Sequence, residues 1–152
     1  MDKTIIDTIE LPNEIFLKEV VALIAGGHDV VLRVRGVSMR PFLEDRRDKI
    51  VLTKPLCSPS TGDVVLAEIA PGKYVYHRVV AIEGNRVTLK GDGNVYGTEQ
   101  CAMINILAVT KSFIRNGKTY SPKGCVWKCY SMLWPSWPFA RRVLLKIYRI
   151  VR

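Results

Sequence analysis

The stretch Asp29-Val30-Val31-Leu32-Arg33-Val34-Arg35-Gly36-Val37-Ser38-Met39-Arg40-Pro41 decides the architecture. Val30, Leu32 and Val34 alternate with Val31, Arg33 and Arg35. That period of two marks a strand, whose successive side chains point to opposite faces. Upstream the spacing is helical. Asn13 and Glu14 suit a helix start, apolar residues follow at Phe16, Val20, Leu23 and Ile24, and Gly26-Gly27 supplies a stop, giving one helix over 12–27. Downstream, segments rich in Val, Ile, Tyr and Thr predict strands at 48–54, 63–69, 73–82, 85–90 and 104–115. Pro59-Ser60-Thr61-Gly62, Glu83-Gly84-Asn85 and Asn116-Gly117 read as turns. The expectation is a mainly β, mostly antiparallel protein with a helix at each end. Residues 1–28 form an N-terminal helical segment, 29–120 a β-rich domain, and 121–152 a Trp-rich basic segment whose final helix starts near Pro138.

The length of 152 residues suits one domain, and 48% hydrophobic with 24% charged residues excludes disorder and collagen-like repeats. The net charge of +9 is unevenly spread. No acid follows Glu99, and the last 52 residues carry ten basic side chains and all three tryptophans. The first 100 residues hold 13 basic residues and all 14 acids, a net of −1. The C-terminal third is therefore built to meet a polyanionic surface. The longest wholly apolar run, Val20 to Ala25, is far short of the ~20 residues a membrane-crossing helix needs. Met1-Asp2-Lys3-Thr4 lacks the basic-then-apolar build of a secretory signal, so the expected location is cytoplasmic, with peripheral membrane contact open. Cys57, Cys101, Cys125 and Cys129 form no Cys-x-x-Cys pair, and Cys125 with Cys129 lacks evident further ligands, so no metal is expected.

Three short segments carry possible chemistry. Pro41 restricts its neighbour and stops the strand, so Ser38 sits at a rigid strand-to-turn junction, where a hydroxyl is held in a fixed direction. In Tyr74-Val75-Tyr76-His77-Arg78-Val79-Val80 a histidine stands inside an apolar strand. Such a residue is commonly a packing side chain, yet imidazole is well suited to take a hydroxyl proton near neutral pH. His28 follows Gly26-Gly27 and has no such context. Lys90-Gly91-Asp92-Gly93-Asn94 is a tight turn, and a carboxylate there can also orient an imidazole.

In this order the boxes Gly36-Val37-Ser38-Met39-Arg40-Pro41, Tyr76-His77-Arg78-Val79-Val80 and Lys90-Gly91-Asp92-Gly93-Asn94 resemble those of the signal peptidase / LexA-type serine peptidases, over about residues 30–110. The resemblance implies a β-rich catalytic domain that hydrolyses peptide bonds without a cofactor. Many members pair serine with lysine. The archaeal and endoplasmic-reticulum type of signal peptidase has histidine at the lysine's place, and His77 stands at that position here. The resemblance thus implies Ser38 as nucleophile, His77 as general base and Asp92 as the orienting acid, with Glu99 as the second candidate for that last role. It departs at Gly36, where signal peptidases often carry a hydroxyl residue, and in the lack of a membrane anchor before the serine box. The implied substrate is a leader or precursor peptide. The alternatives are a catalytically inactive membrane- or partner-binding module, or a LexA-type self-cleaving regulator without a DNA-binding domain. Ala25-Gly26 is the bond type for self-cleavage, but it lies too close to Ser38 to loop back.

From Arg141 to Arg152 the basic side chains fall within about 140° of a helical wheel and the apolar ones opposite, with only Leu145 out of place. With Trp134, Trp137 and Phe139 ahead of it, this helix suits contact with an anionic membrane through residues 134–152. The competing expectation is that its apolar side packs on the protein's own sheet. Nucleic acid is disfavoured because no binding motif accompanies the charge.

Overall fold

The computed structural model describes residues 4–5, 13–136 and 138–151. Trp137, Arg152 and the predicted helix start at residue 12 lie outside them. Helix α1 (Asn13–Ala25) follows the apolar spacing and buries Val20 and Ile24 completely. Its end is closed by Gly27, at φ 90°, with Gly27 N donating to Ile24 O and His28 N to Leu23 O. Only glycine takes that φ without strain.

The strands are β1 (Thr4–Ile5), β2 (Val30–Arg33), β3 (Lys49–Thr53), β4 (Val64–Ala70), β5 (Lys73–Glu83), β6 (Arg86–Lys90), β7 (Glu99–Ala102), β8 (Ile106–Arg115) and β9 (Lys118–Tyr120). They form one sheet in the order β1-β2-β3-β8-β4-β5-β6-β7, with β9 paired to β8. Every pairing is antiparallel except β1 with β2. The mainly β expectation is borne out.

Strand β4 shows how the core is divided. Val64 and Leu66 belong to one apolar cluster, with α1, β2, β3, Phe42 and Phe113. Val65 and Ala67, on the other face, join Val79, Val87, Leu89 and Ile106 in a second cluster. Burying both faces requires an unbroken apolar run rather than alternation, which Val64-Val65-Leu66-Ala67 supplies.

The C-terminal segment contains two helices, α2 (Cys125–Ser136) and α3 (Pro138–Val151). The sequence reading anticipated the second and not the first. Trp127 of α2 is buried in the first cluster, its ring centroid 4.7 Å from Phe42 and 4.3 Å from Phe113. Helix α3 is docked by Arg141, Leu145 and Tyr148, which recur at i, i+4 and i+7 and so share a face. Leu145, the residue that broke the amphipathic pattern, is buried, as is Arg141. The expectation that the apolar side packs on the sheet is overturned: Phe139, Val143, Leu144, Ile147, Ile150 and Val151 are exposed.

Candidate active site

The chain leaves β2 at Arg33 and turns at Gly36, whose φ of 88° suits a residue without a Cβ. Gly36 N donates to Asp45 Oδ1 at 2.8 Å. Beyond it, Met39, Phe42 and Leu43 are buried and anchor the turn, while Ser38 stays half-buried. The turn is seated on the Gly91-Asp92-Gly93 segment, where Gly93 N donates to Ser38 O at 2.7 Å. A Cβ on Gly91 would lie 2.5 Å from Ser38 O, and one on Gly93 would collide with Val37 O. Both glycines are thus explained by close backbone approach, which binds the first and third sequence boxes together in space.

His77 is buried in the middle of β5, opposite Val65 of β4. On the other side Arg78 pairs with Lys90, the last residue of β6, and bonds Asp92 of the turn that follows, the turn on which Ser38 is seated. All three boxes therefore converge. His77 Nδ1 lies 2.9 Å from Glu99 Oε2. Glu99 opens β7 opposite Leu89 and is partly exposed. Among the described residues, no hydrogen bond joins the Ser38 hydroxyl to His77.

Asp92 does not meet His77. Consecutive strand residues point to opposite faces, and Asp92 lies on the side of Arg78. Arg78 Nε donates to Asp92 Oδ1 and Nη2 to Oδ2, both at 2.7 Å, and both residues are buried. The acid ranked first from sequence is thus the partner of Arg78, and the acid ranked second is the partner of His77. Tyr130 Oη also donates to Asp92 Oδ2 at 2.8 Å, and Trp134 Nε1 to Asp92 O at 3.0 Å. Arg78 Nη1 donates to Ser131 Oγ at 2.7 Å, and its guanidinium lies 4.5 Å from the Trp127 ring centroid. Burial works against the Arg78 charge, but hydrogen bonding to Asp92 and its negative charge outweigh it, and the pKa is raised. Tyr130 is pushed far up, first by burial and then by the adjacent carboxylate.

The roles of Arg78, Trp127, Tyr130 and Ser131 were missed from sequence. A signal existed, since an arginine inside an apolar strand needs a buried acid partner and Asp92 was the acid between two glycines. Arg141 extends the network by donating to Asn94 O and, at 3.5 Å, to Gly91 O. Cys125 and Cys129 bring their Sγ atoms to 3.8 Å on the exposed side of α2. No cluster of three or more His, Cys, Asp or Glu suited to a metal occurs among the described residues.

The chain belongs to the Peptidase S24-like family, whose model matches residues 1–111. The family covers LexA- and signal-peptidase-type serine peptidases, and the β-rich sheet with flanking helices is consistent with its fold. A comparison with curated proteins found no match. Among the described residues, no helix is long and apolar enough to cross a membrane.

Proposed function

We propose that the protein is a serine endopeptidase that cleaves a leader or precursor peptide, with Ser38 as nucleophile, His77 as general base and Glu99 as the orienting acid. The observation that carries this reading is the 2.9 Å contact of Glu99 with His77 Nδ1, on a strand whose next residue, Arg78, bonds Asp92 of the turn that seats Ser38. A carboxylate at Nδ1 fixes the tautomer with its proton there and leaves Nε2 free to accept one. Ser38 Oγ attacks the scissile carbonyl carbon while its proton passes to His77 Nε2. The tetrahedral intermediate collapses, the C–N bond breaks, and the imidazolium returns the proton to the departing amine. Water, deprotonated by His77, then hydrolyses the acyl-enzyme and restores the Ser38 hydroxyl. The Ser38 backbone N–H is the oxyanion donor that this chain supplies at the nucleophile itself.

Substrate entry tightens the Ser38–His77 contact in this reading, because catalytic hydrogen bonds are often long in the empty enzyme. The test is labelling by a fluorophosphonate probe. Wild type labels, while Ser38→Ala and His77→Ala do not. Equal labelling of all three proteins removes the proposal.

A second reading, a non-catalytic binding module on the same fold, draws on the missing Ser38–His77 hydrogen bond, and the same experiment decides it. Self-cleavage at Ala25-Gly26 forms no part of either reading. That bond sits in the closed end of α1, where Gly26 N donates to Ala22 O at 3.0 Å.

A further inference from the structure

We propose that α3 is a docking face for an anionic lipid bilayer, with the outward apolar side of the helix entering the headgroup and acyl boundary. The argument begins with how the helix is held. Arg141 and Leu145 are buried, and Tyr148 Oη donates to Glu44 Oε2 at 2.6 Å while the Arg40 guanidinium lies 5.6 Å from the Tyr148 ring centroid. These contacts fix the rotation of α3 about its own axis.

That rotation turns the apolar side to solvent. Ile150 is 76% exposed, Val151 77% and Phe139 79%, and Val143, Leu144 and Ile147 complete the stripe. An amphipathic helix that served only its own protein would bury this side. The exposed Arg142, Lys146 and Arg149 fall along one flank of the stripe, between it and the docked face. Apolar side chains bordered by cations match a surface with hydrocarbon beneath anionic phosphates.

Charge selects among possible occupants. Ten basic side chains and no acid occur after Glu99, so a second copy of the same face would bring like charges together. Nucleic acid offers phosphates but no hydrocarbon depth for the apolar stripe. The anchor also bears on the candidate site, since Arg141 on α3 bonds the Gly91 and Asn94 carbonyls of the segment that seats Ser38. A bilayer against the far side of α3 lies about one helix diameter, roughly 10 Å, from that segment.

The experiment is sedimentation of the full chain with vesicles of phosphatidylcholine containing phosphatidylglycerol, and with phosphatidylcholine alone. Wild type is expected to sediment with the anionic vesicles and to be released by high salt. Ile147→Glu/Ile150→Glu is expected to lose at least about tenfold in vesicle affinity, because each side chain gives up an apolar burial worth more than that factor. Both positions are exposed, so the circular dichroism and melting of the variant should match wild type. Failure of wild type to bind anionic vesicles overturns the proposal, as does equal binding by the double variant. Self-association that the same variant abolishes, without vesicle binding, assigns the face to a second copy and also overturns it. Vesicle binding and fluorophosphonate labelling are separate readouts, so failure of one proposal is distinguishable from failure of the other.

Discussion

Arg78 and Asp92 meet through two parallel hydrogen bonds of 2.7 Å, buried from solvent one residue along the chain from His77. The pair ties β5 to the turn that seats Ser38, and α2 covers it with Trp127 and Tyr130. Removing one member leaves an uncompensated buried charge. Asp92→Asn should therefore cost about 3–5 kcal/mol in urea unfolding. Replacing both, as Arg78→Met/Asp92→Leu, should cost less than the two single changes added together. Strict additivity would show that the two side chains do not act as a unit.

Glu99 and Asp92 can be separated by what each substitution changes. Glu99 is partly exposed and contacts the imidazole, so Glu99→Gln should leave the melting temperature close to wild type. Fluorophosphonate labelling should slow by about 100-fold or more, because the amide no longer fixes the tautomer. Labelling at the wild-type rate would remove Glu99 from the mechanism.

The glycines of the third box answer to different constraints from Gly36. Gly93→Ala forces a Cβ into Val37 O, and the backbone of the serine turn must shift. Labelling of Ser38 should fall by about tenfold or more even where the protein still folds, since small misplacements of reacting groups are costly. Gly36→Ala meets no atom within 4 Å but keeps a φ of 88°. Its cost is conformational, about 1–2 kcal/mol in stability. A Gly93→Ala protein labelled as fast as wild type would contradict the seating of Ser38 on this turn.

Asp48 sets part of the acid response. It is fully buried and accepts from Glu44 N and Asn116 N and from the Arg47 guanidinium. Burial alone would raise its pKa, but these donors outweigh it and hold it below the ordinary value. A depressed carboxylate stabilises the fold above its unfolded pKa of about 4, and this contribution is lost as pH falls through the folded value. Asp48→Asn should be less stable than wild type at pH 7, and its stability should fall less between about pH 4 and pH 2. Parallel pH profiles for the two proteins would contradict this.

Residues whose environment is local were legible in the sequence. The strand at Val30, the stop at Gly27 and the long apolar run of β4 follow from spacing and turn chemistry alone. Strand β7 was not legible, because Glu99-Gln100-Cys101-Ala102 at the sheet edge lacks an apolar alternation. Helix α2 was obscured because Trp127, its buried anchor, sits among lysine and cysteine residues in a segment that otherwise read as irregular. The three boxes converge as their order suggested. Which acid meets His77 depended on strand faces and register, and neither is written in the spacing of Asp92 from Glu99.

The aromatic cover over Arg78 comes from beyond residue 111, where the family match ends. The integrity of the tail and that of the candidate site are therefore not independent in this chain. A chimera of this chain carrying another C-terminal segment would also have to re-house the buried Arg78 beside His77. Such a graft succeeds only if the incoming helix brings its own rings and hydroxyl to Arg78.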